Sequence, residues 1–167
     1  PESVTIKQTA ALAAAGVIVS LGHSDCTFET AMRYVAAGAR CVTHLFNAMS
    51  QLGNREPGLT GAALASGQLH AGLIADGYHV HVESMKAALR AKIGPGKIHL
   101  VTDAMSTVGS NVTAFALNGR VIQRSAGRLT LQDGTLAGAD IDMNACVRNA
   151  CSMLGVSSHE AIRMATS

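Results

Sequence analysis

Val17-Ile18-Val19-Ser20-Leu21-Gly22-His23 is a short apolar run, rich in β-branched residues, that stops at a histidine, and the chain repeats the device. Cys41-Val42-Thr43 runs into His44, Leu73-Ile74-Ala75 into Asp76-Gly77-Tyr78-His79, and Ile98-His99-Leu100-Val101-Thr102 into Asp103. Helical patterns separate the runs. Apolar segments this short, with no polar alternation, predict buried parallel strands. The position just past the C-terminal end of such a strand is where a βα barrel keeps its chemistry. Two histidines and an aspartate at those positions point to a hydrolytic metal site.

The flanking segments give the order of elements. A first helix ends over Thr9 to Ala15, with Gly16 in the position that favours a left-handed backbone. Ser24, Asp25 and Thr27 offer caps for a helix from Phe28 to Ala37, and a strand follows from Arg40 to His44. Leu45 to Gly58 reads as a long loop, Leu59 to Ser66 as a helix and Leu69 to Ala75 as a strand. A helix from Val82 to Ile93 is stopped by Gly94-Pro95-Gly96, and a strand runs from Ile98 to Thr102. Strands alternating with helices predict a parallel sheet.

From Thr113 the pattern changes. Asn118-Gly119 and Asp133-Gly134 each sit between short apolar runs, the strongest short-range hairpin signal. Asp140 is the expected cap of a helix from Ile141 to Leu154, and Ser157-Ser158 of a last helix from His159 to Ser167. The expected division is therefore a barrel half over 1–112, an antiparallel β-hairpin insertion over 113–139, and C-terminal helices of the barrel domain over 140–167.

Composition narrows the function. With 167 residues, 48% of them hydrophobic, the chain can bury a sizeable core and is not a disordered tail. The formal net charge of +2 comes from scattered basic residues, with no basic run and no aromatic interleaving, which argues against nucleic acid. No stretch approaches the ~20 apolar residues that span a bilayer, and no signal-peptide pattern is present. None of the four cysteines, Cys26, Cys41, Cys146 and Cys151, forms a CxxC pair, so free thiols in a reducing cytoplasm are expected. The chain starts at Pro1 rather than Met, and reads as processed or excised from something longer.

A single histidine at a strand end is most often a hydrogen-bonded structural residue. His23 and His44, however, occupy equivalent ends of consecutive strands. Adjacent strands lie ~4.8 Å apart, so both imidazoles can converge on one divalent ion, zinc by default and iron or another ion as alternatives. Asp103 could cap a helix at Ala104. Beside a metal it suits a general base, taking a proton from water and returning it to a leaving amine. Its apolar strand is expected to bury the carboxylate. Asn47 and Ala48 follow the His44 strand in a loop that can aim backbone amides at an anion. Arg55 either binds phosphate through its planar fork or pairs with Glu56. His79 is a ligand-binding or a structural residue, while His70, His81, His99 and His159 read as structural.

These residues form a series that resembles one family. Leu21-Gly22-His23-Ser24, Thr43-His44-Leu45-Phe46-Asn47-Ala48-Met49, Arg55-Glu56-Pro57-Gly58, Ala75-Asp76-Gly77-Tyr78-His79 and Val101-Thr102-Asp103-Ala104-Met105 occur in order. Together they are similar to the N-acetylglucosamine-6-phosphate deacetylase family of the amidohydrolase superfamily. Gly134-Thr135-Leu136-Ala137-Gly138 and Arg163-Met164-Ala165-Thr166 extend the likeness along essentially the whole chain.

The resemblance implies an α/β fold, the second half of a TIM (β/α)8-type metal-dependent hydrolase barrel with a small antiparallel β insertion after the last strand. It implies hydrolysis of N-acetylglucosamine 6-phosphate to glucosamine 6-phosphate and acetate. By motif position His23 and His44 match the metal ligands and Asp103 the catalytic acid/base. Asn47, Ala48, Arg55, Asp76, Gly77, Tyr78 and His79 match substrate-binding positions, as do Ala137, Gly138 and Ala139. The resemblance further implies a homodimer in which a neighbouring subunit contributes to the phosphate site.

The departures from the family pattern are also informative. The family's third metal ligand is a glutamate in a His-Leu-Glu-Gly-Pro-type motif, which this chain lacks, together with the first four barrel strands. Four strands alone leave open sheet edges that another chain or segment has to cover. The expectation is the C-terminal part of a longer deacetylase, with little activity by itself. The alternatives are a non-catalytic half-barrel paired with another chain, and a related amidohydrolase acting on another N-acyl sugar phosphate or N-acyl amino acid.

Overall fold

In the computed structural model, which describes residues 1–166, the chain falls into two compact units. The first comprises Pro1–Leu73 and Glu83–His99, and the second Ile74–Val82 and the residues from Leu100 onward.

The first unit follows the predicted alternation. α1 (Ile6–Ala14) opens on Thr5, whose side chain accepts from the Gln8 amide while the Gln8 side chain accepts from the Thr5 amide at 2.9 Å. This reciprocal cap satisfies two otherwise free amides. Then come β1 (Val19–Leu21), α2 (Phe28–Ala36), β2 (Ala39–Val42), α3 (Gly58–Ala65), β3 (His70–Ile74), α4 (Val82–Ala91) and β4 (Ile98–Val101). β1 pairs with β2 and β2 with β3, both in parallel. Beyond β3, the Ala71 amide donates to the Lys97 carbonyl at 3.0 Å.

Ala71, Gly72 and Leu73 of β3 are all buried, as a strand covered on both faces requires. α2 turns one stripe inward, Ala31, Tyr34 and Val35. α3 has no polar stripe: every residue from Gly58 to Leu64 is buried.

The strands are shorter than the apolar runs that announced them. β1 begins only at Val19, and Val17 and Ile18 are exposed, Ile18 to 77%. β1 is an end strand, paired on one side alone. β2 stops at Val42 rather than His44, because His44 adopts a left-handed backbone that ends regular pairing.

In the second unit the two expected hairpins merge into one antiparallel meander. β5 (Ala114–Leu117), β6 (Arg120–Ser125), β7 (Arg128–Thr130) and β8 (Leu136–Ala139) pair in chain order. Asn118 and Gly119 take φ values of 50° and 75° between β5 and β6, as a two-residue turn matched to strand twist demands. Ala126-Gly127 forms a third turn, between β6 and β7, with φ of 49° and 75°. Ile122 and Leu129 are buried, whereas Leu117 and Val121 are exposed.

α5 (Met143–Leu154) and α6 (Ser158–Thr166) complete this unit. α5 is capped by Asp142, not by Asp140: the Asp142 carboxylate accepts from the Ala145 amide at 2.6 Å. The cap has to sit in extended backbone directly before the first helical residue, and Asp140 instead follows β8 and forms an ion pair described below. α6 starts one residue early, with the Ser157 hydroxyl accepting from the Glu160 amide. The predicted final residue of that helix, Ser167, lies outside the described residues. All four cysteines are free thiols. Among the described residues no helix is long and apolar enough to cross a membrane.

Candidate functional site

In the first unit the ends of β1 and β2 hold the two histidines opposite each other. The Thr43 amide donates to the Leu21 carbonyl at 2.8 Å, the last step of the regular ladder. Gly22 then allows a close approach, since a Cβ there would lie 2.8 Å from the Thr43 Cβ. Past the histidines the two loops pair again: the Ser24 amide donates to the Ala48 carbonyl, and the Ser50 amide to the Ser24 carbonyl.

Locked between these two clamps, the Nε2 atoms of His23 and His44 face each other at 2.9 Å, with ring centroids 4.8 Å apart and planes at 70°. His44 is buried and its Nδ1 has no partner among the described residues, while His23 is exposed. Two ring nitrogens aimed at one point suit a shared proton or a shared cation. Tetrahedral zinc bonded at 2.0–2.1 Å would set its nitrogen ligands about 3.3 Å apart, so the rings need to open by only about half an ångström. Among the described residues no group of three His, Cys, Asp or Glu side chains converges.

His23, His44 and Asp103 share a backbone signature. Their φ values are 46°, 28° and 51°, left-handed conformations that cost a non-glycine residue energy. Ala48 and Phe46 in the loop after β2 are left-handed too. The same conformation occurs at Asn118 and Ala126 in hairpin turns, so at the three strand ends it marks where the regular ladder stops.

The phosphate candidates of this unit behave unequally. The Asn47 amide donates to the His44 carbonyl, and the Asn47 side chain to the carbonyls of His44 and Leu45, so its donors serve the loop. Glu56 accepts from the amides of Phe28 and Gly58, and these bonds hold its carboxyl below the usual carboxylate range. Glu56 therefore does not pair with Arg55, which is exposed and without a partner among the described residues. A guanidinium left open in this way is available to an anion.

In the second unit Asp103 lies just past β4 and is exposed, not buried as its apolar strand suggested. The left-handed turn carries it beyond the packed part of the strand, and no helix follows. Its carboxylate has no partner among the described residues. Its backbone is held, however, because the Ala139 amide donates to the Asp103 carbonyl at 2.9 Å and the Met105 amide to the Ala139 carbonyl at 3.2 Å. Gly138 makes this possible: a Cβ there would lie 2.4 Å from the Met105 side chain, and its φ is +76°. The structure thus brings Gly138 and Ala139 against the Asp103 segment, with Ala137 just before them on β8.

The brace behind this junction was not visible in the sequence. Asp140, whose side chain is 4% exposed, accepts from Arg124 Nε at 2.6 Å and from the Thr107 hydroxyl at 3.2 Å. Arg124 also donates to the Ser110 carbonyl. The only sequence cue is an arginine on the strand after Asn118-Gly119.

Asp76, Gly77, Tyr78 and His79 form the remaining group. Asp76 accepts from the amides of Tyr78 and His79 and from His79 Nδ1, the last at 2.6 Å. Tyr78 donates to the Ala126 carbonyl, and the Arg128 guanidinium lies 4.7 Å from its ring centroid. The Asn149 side chain donates to the Ala75 carbonyl at the root of the loop. Burial tends to raise the Asp76 pKa, but the bonds from His79 and Tyr78 outweigh it and hold the carboxyl below its ordinary value.

No family model matches the chain. Individual proteins do. It is 47% identical over 166 residues to an N-acetylgalactosamine-6-phosphate deacetylase of Shewanella sp. (strain ANA-3), covering 99% of this chain and 42% of that protein. It is 38% identical over 123 residues to a putative N-acetylgalactosamine-6-phosphate deacetylase of Escherichia coli (strain K12), covering 74% of this chain and 72% of that protein. The crystal structure of N-acetylglucosamine-6-phosphate deacetylase from Pasteurella multocida superposes with a TM-score of 0.92 at 34% identity, over 98% of this chain and 43% of that one. The chain thus spans about two fifths of the length of the Shewanella and Pasteurella proteins, and matches their C-terminal portion.

Proposed function

Because the chain belongs to the family of N-acetylglucosamine- and N-acetylgalactosamine-6-phosphate deacetylases, we propose that it carries the acid/base group and two metal-binding side chains for deacetylating N-acetylglucosamine 6-phosphate. The products are glucosamine 6-phosphate and acetate. The observation that carries this reading is the facing pair of Nε2 atoms on His23 and His44, 2.9 Å apart at adjacent strand ends.

Neutral imidazole nitrogens suit zinc, with iron or another divalent ion as alternatives. Two ligands are an incomplete set, so a further donor has to come from outside the described residues. A divalent ion bound there supplies Lewis-acid polarisation of a carbonyl and eases the ionisation of water. Asp103, exposed and unpaired, takes the proton from the attacking water and returns it to the departing amine. The water oxygen ends in acetate, and the amine leaves protonated. We assign Arg55 and His79 to the phosphate, and Asn47, Ala48, Ala137, Gly138 and Ala139 to contacts with the substrate.

The parallel sheet fits a barrel half whose missing strands add at the free edge of β1. Exposed Val17 and Ile18 support this, as does a cavity of about 390 Å³ lined by Leu12, Ile18, Leu21 and His23 within the first unit. We place the protein in a reducing cytoplasm, in keeping with its free thiols, as a homodimer sharing the Arg55 loop.

A second reading, N-acetylgalactosamine 6-phosphate as substrate, is favoured by the Shewanella relative at 47% identity. The two sugars differ only in the orientation of one hydroxyl. Acetate release from both sugar phosphates tests the proposal, measured with zinc for this protein alone and joined to the upstream portion of the Shewanella relative. We expect release from the joined form, faster with the glucosamine epimer and lost in Asp103→Asn. No release from either form on either sugar overturns it.

A further inference from the structure

His79 is offered to the substrate by a neighbour that never needs to touch it. The Asp76 carboxylate divides its two oxygens: Oδ1 accepts the Tyr78 amide at 2.8 Å and the His79 amide at 2.9 Å, and Oδ2 meets His79 Nδ1 at 2.6 Å. Both side chains are nearly buried, at 6% and 7% exposure. A carboxylate has no hydrogen to give, so the hydrogen of this short contact belongs to Nδ1.

We infer that Asp76 is a positioning residue that fixes the ring orientation and tautomer of His79, leaving Nε2 as the one ring atom presented to the sugar phosphate. The inference rests on the reading above only in naming the ligand. The phosphate dianion, the form present above the second pKa, accepts and does not donate. With Nδ1 committed to Asp76, Nε2 can meet it only in the imidazolium form, and Asp76 is the counter-charge of that cation. Other charged or titratable groups near this loop in the same unit include His81 two residues on, Asp142 at the cap of α5, Cys146 of α5 and Arg128 over Tyr78. The Cys146 thiol, pushed up to about 11 by burial, stays neutral.

This assigns Asp76 a different task from that of a direct substrate contact. It also explains why the carboxylate accepts both loop amides: the same group that orders the backbone at Tyr78 and His79 aims the ring. An asparagine at 76 separates the two tasks. Its Oδ1 can keep both amide bonds, but its Nδ2 places a donor opposite Nδ1 and drives the ring to the other tautomer.

Long-range proton–nitrogen correlation spectra of the nitrogen-15-labelled protein test this, with the His79 signals assigned by their loss in His79→Gln. In the unsubstituted protein we expect a hydrogen on Nδ1 and none on Nε2. Adding inorganic phosphate should place hydrogen on both nitrogens. Asp76→Asn should move the hydrogen to Nε2 and weaken phosphate binding about tenfold. A hydrogen on Nε2 and none on Nδ1 before phosphate is added overturns the inference, and is read without any change at Asp76. An unchanged tautomer in Asp76→Asn overturns it equally. The expected tautomers with no response of His79 to phosphate uphold Asp76 as the positioning residue and count against the sugar-phosphate reading at His79.

Discussion

His23 and His44 are separated by 21 residues in the chain, yet their Nε2 atoms face each other at 2.9 Å, because each caps one of two paired parallel strands. Regular ladder below and renewed loop pairing above leave the two rings little freedom to diverge. The partner we propose for this pair is a cation.

Zinc is therefore expected to bind and to stabilise the protein. At a free concentration a hundred times the dissociation constant, the gain is about 2.7 kcal/mol. His44→Ala should abolish it, whereas His159→Ala should not. Thermal melts with and without zinc, with dialysis to count bound metal, give the answer.

In the form joined to the upstream portion of the Shewanella relative, Asp103→Asn should reduce deacetylation by about a thousandfold while leaving KM nearly unchanged. Its folding stability should hold, because the carboxylate is exposed and unpaired and asparagine accepts a left-handed backbone better than most residues. Steady-state kinetics beside urea unfolding separate the two effects.

Arg124→Met should destabilise the second unit by about 2 kcal/mol, since it leaves the nearly buried Asp140 carboxylate without its cation. Because Ala139, the neighbour of Asp140, carries the backbone bonds to Asp103 and Met105, kcat of the joined form should fall as well. Replacing Asp140 by asparagine, which still accepts from Thr107, should cost less. Urea midpoints of the two variants rank them.

Acid should weaken the Asp76 loop. The Asp76 pKa is lowered from 3.8 in the folded protein, so its contribution is complete above that value and is lost as pH falls through the lower folded one. The Asp76→Asn protein, having no such proton to take up, should show a shallower fall in stability between about pH 5 and pH 2. Chemical unfolding across that range, compared between the two proteins, measures the difference.

Much of the fold was legible because its signals are local. Apolar runs, glycines after helices and the Asn118-Gly119 turn each predict an element within a few residues. The strand ends were less legible, since the left-handed turns at His23 and His44 arise where two loops clamp each other. The Ala126-Gly127 turn has no local signal because alanine gives no sign of a positive φ; Tyr78, far away in sequence, donates to the Ala126 carbonyl. The choice between Asp140 and Asp142 as helix cap was decided by Arg124, a partner 16 residues away from Asp140. In the candidate site, equivalent strand positions foretold that His23 and His44 face each other, but the exposure of Asp103 and the bonds of Asp76 to its own loop follow from three-dimensional neighbours.

The positive φ values at His23, His44 and Asp103 also act as a sieve on any redesign of this chain. A mutant library at these positions would be thinned by the backbone before chemistry was ever sampled: glycine, asparagine and aspartate pass, while valine and isoleucine fail. Placing other donor side chains at these positions is therefore easier with short, unbranched ones, and the scaffold itself narrows the chemistries its descendants can reach.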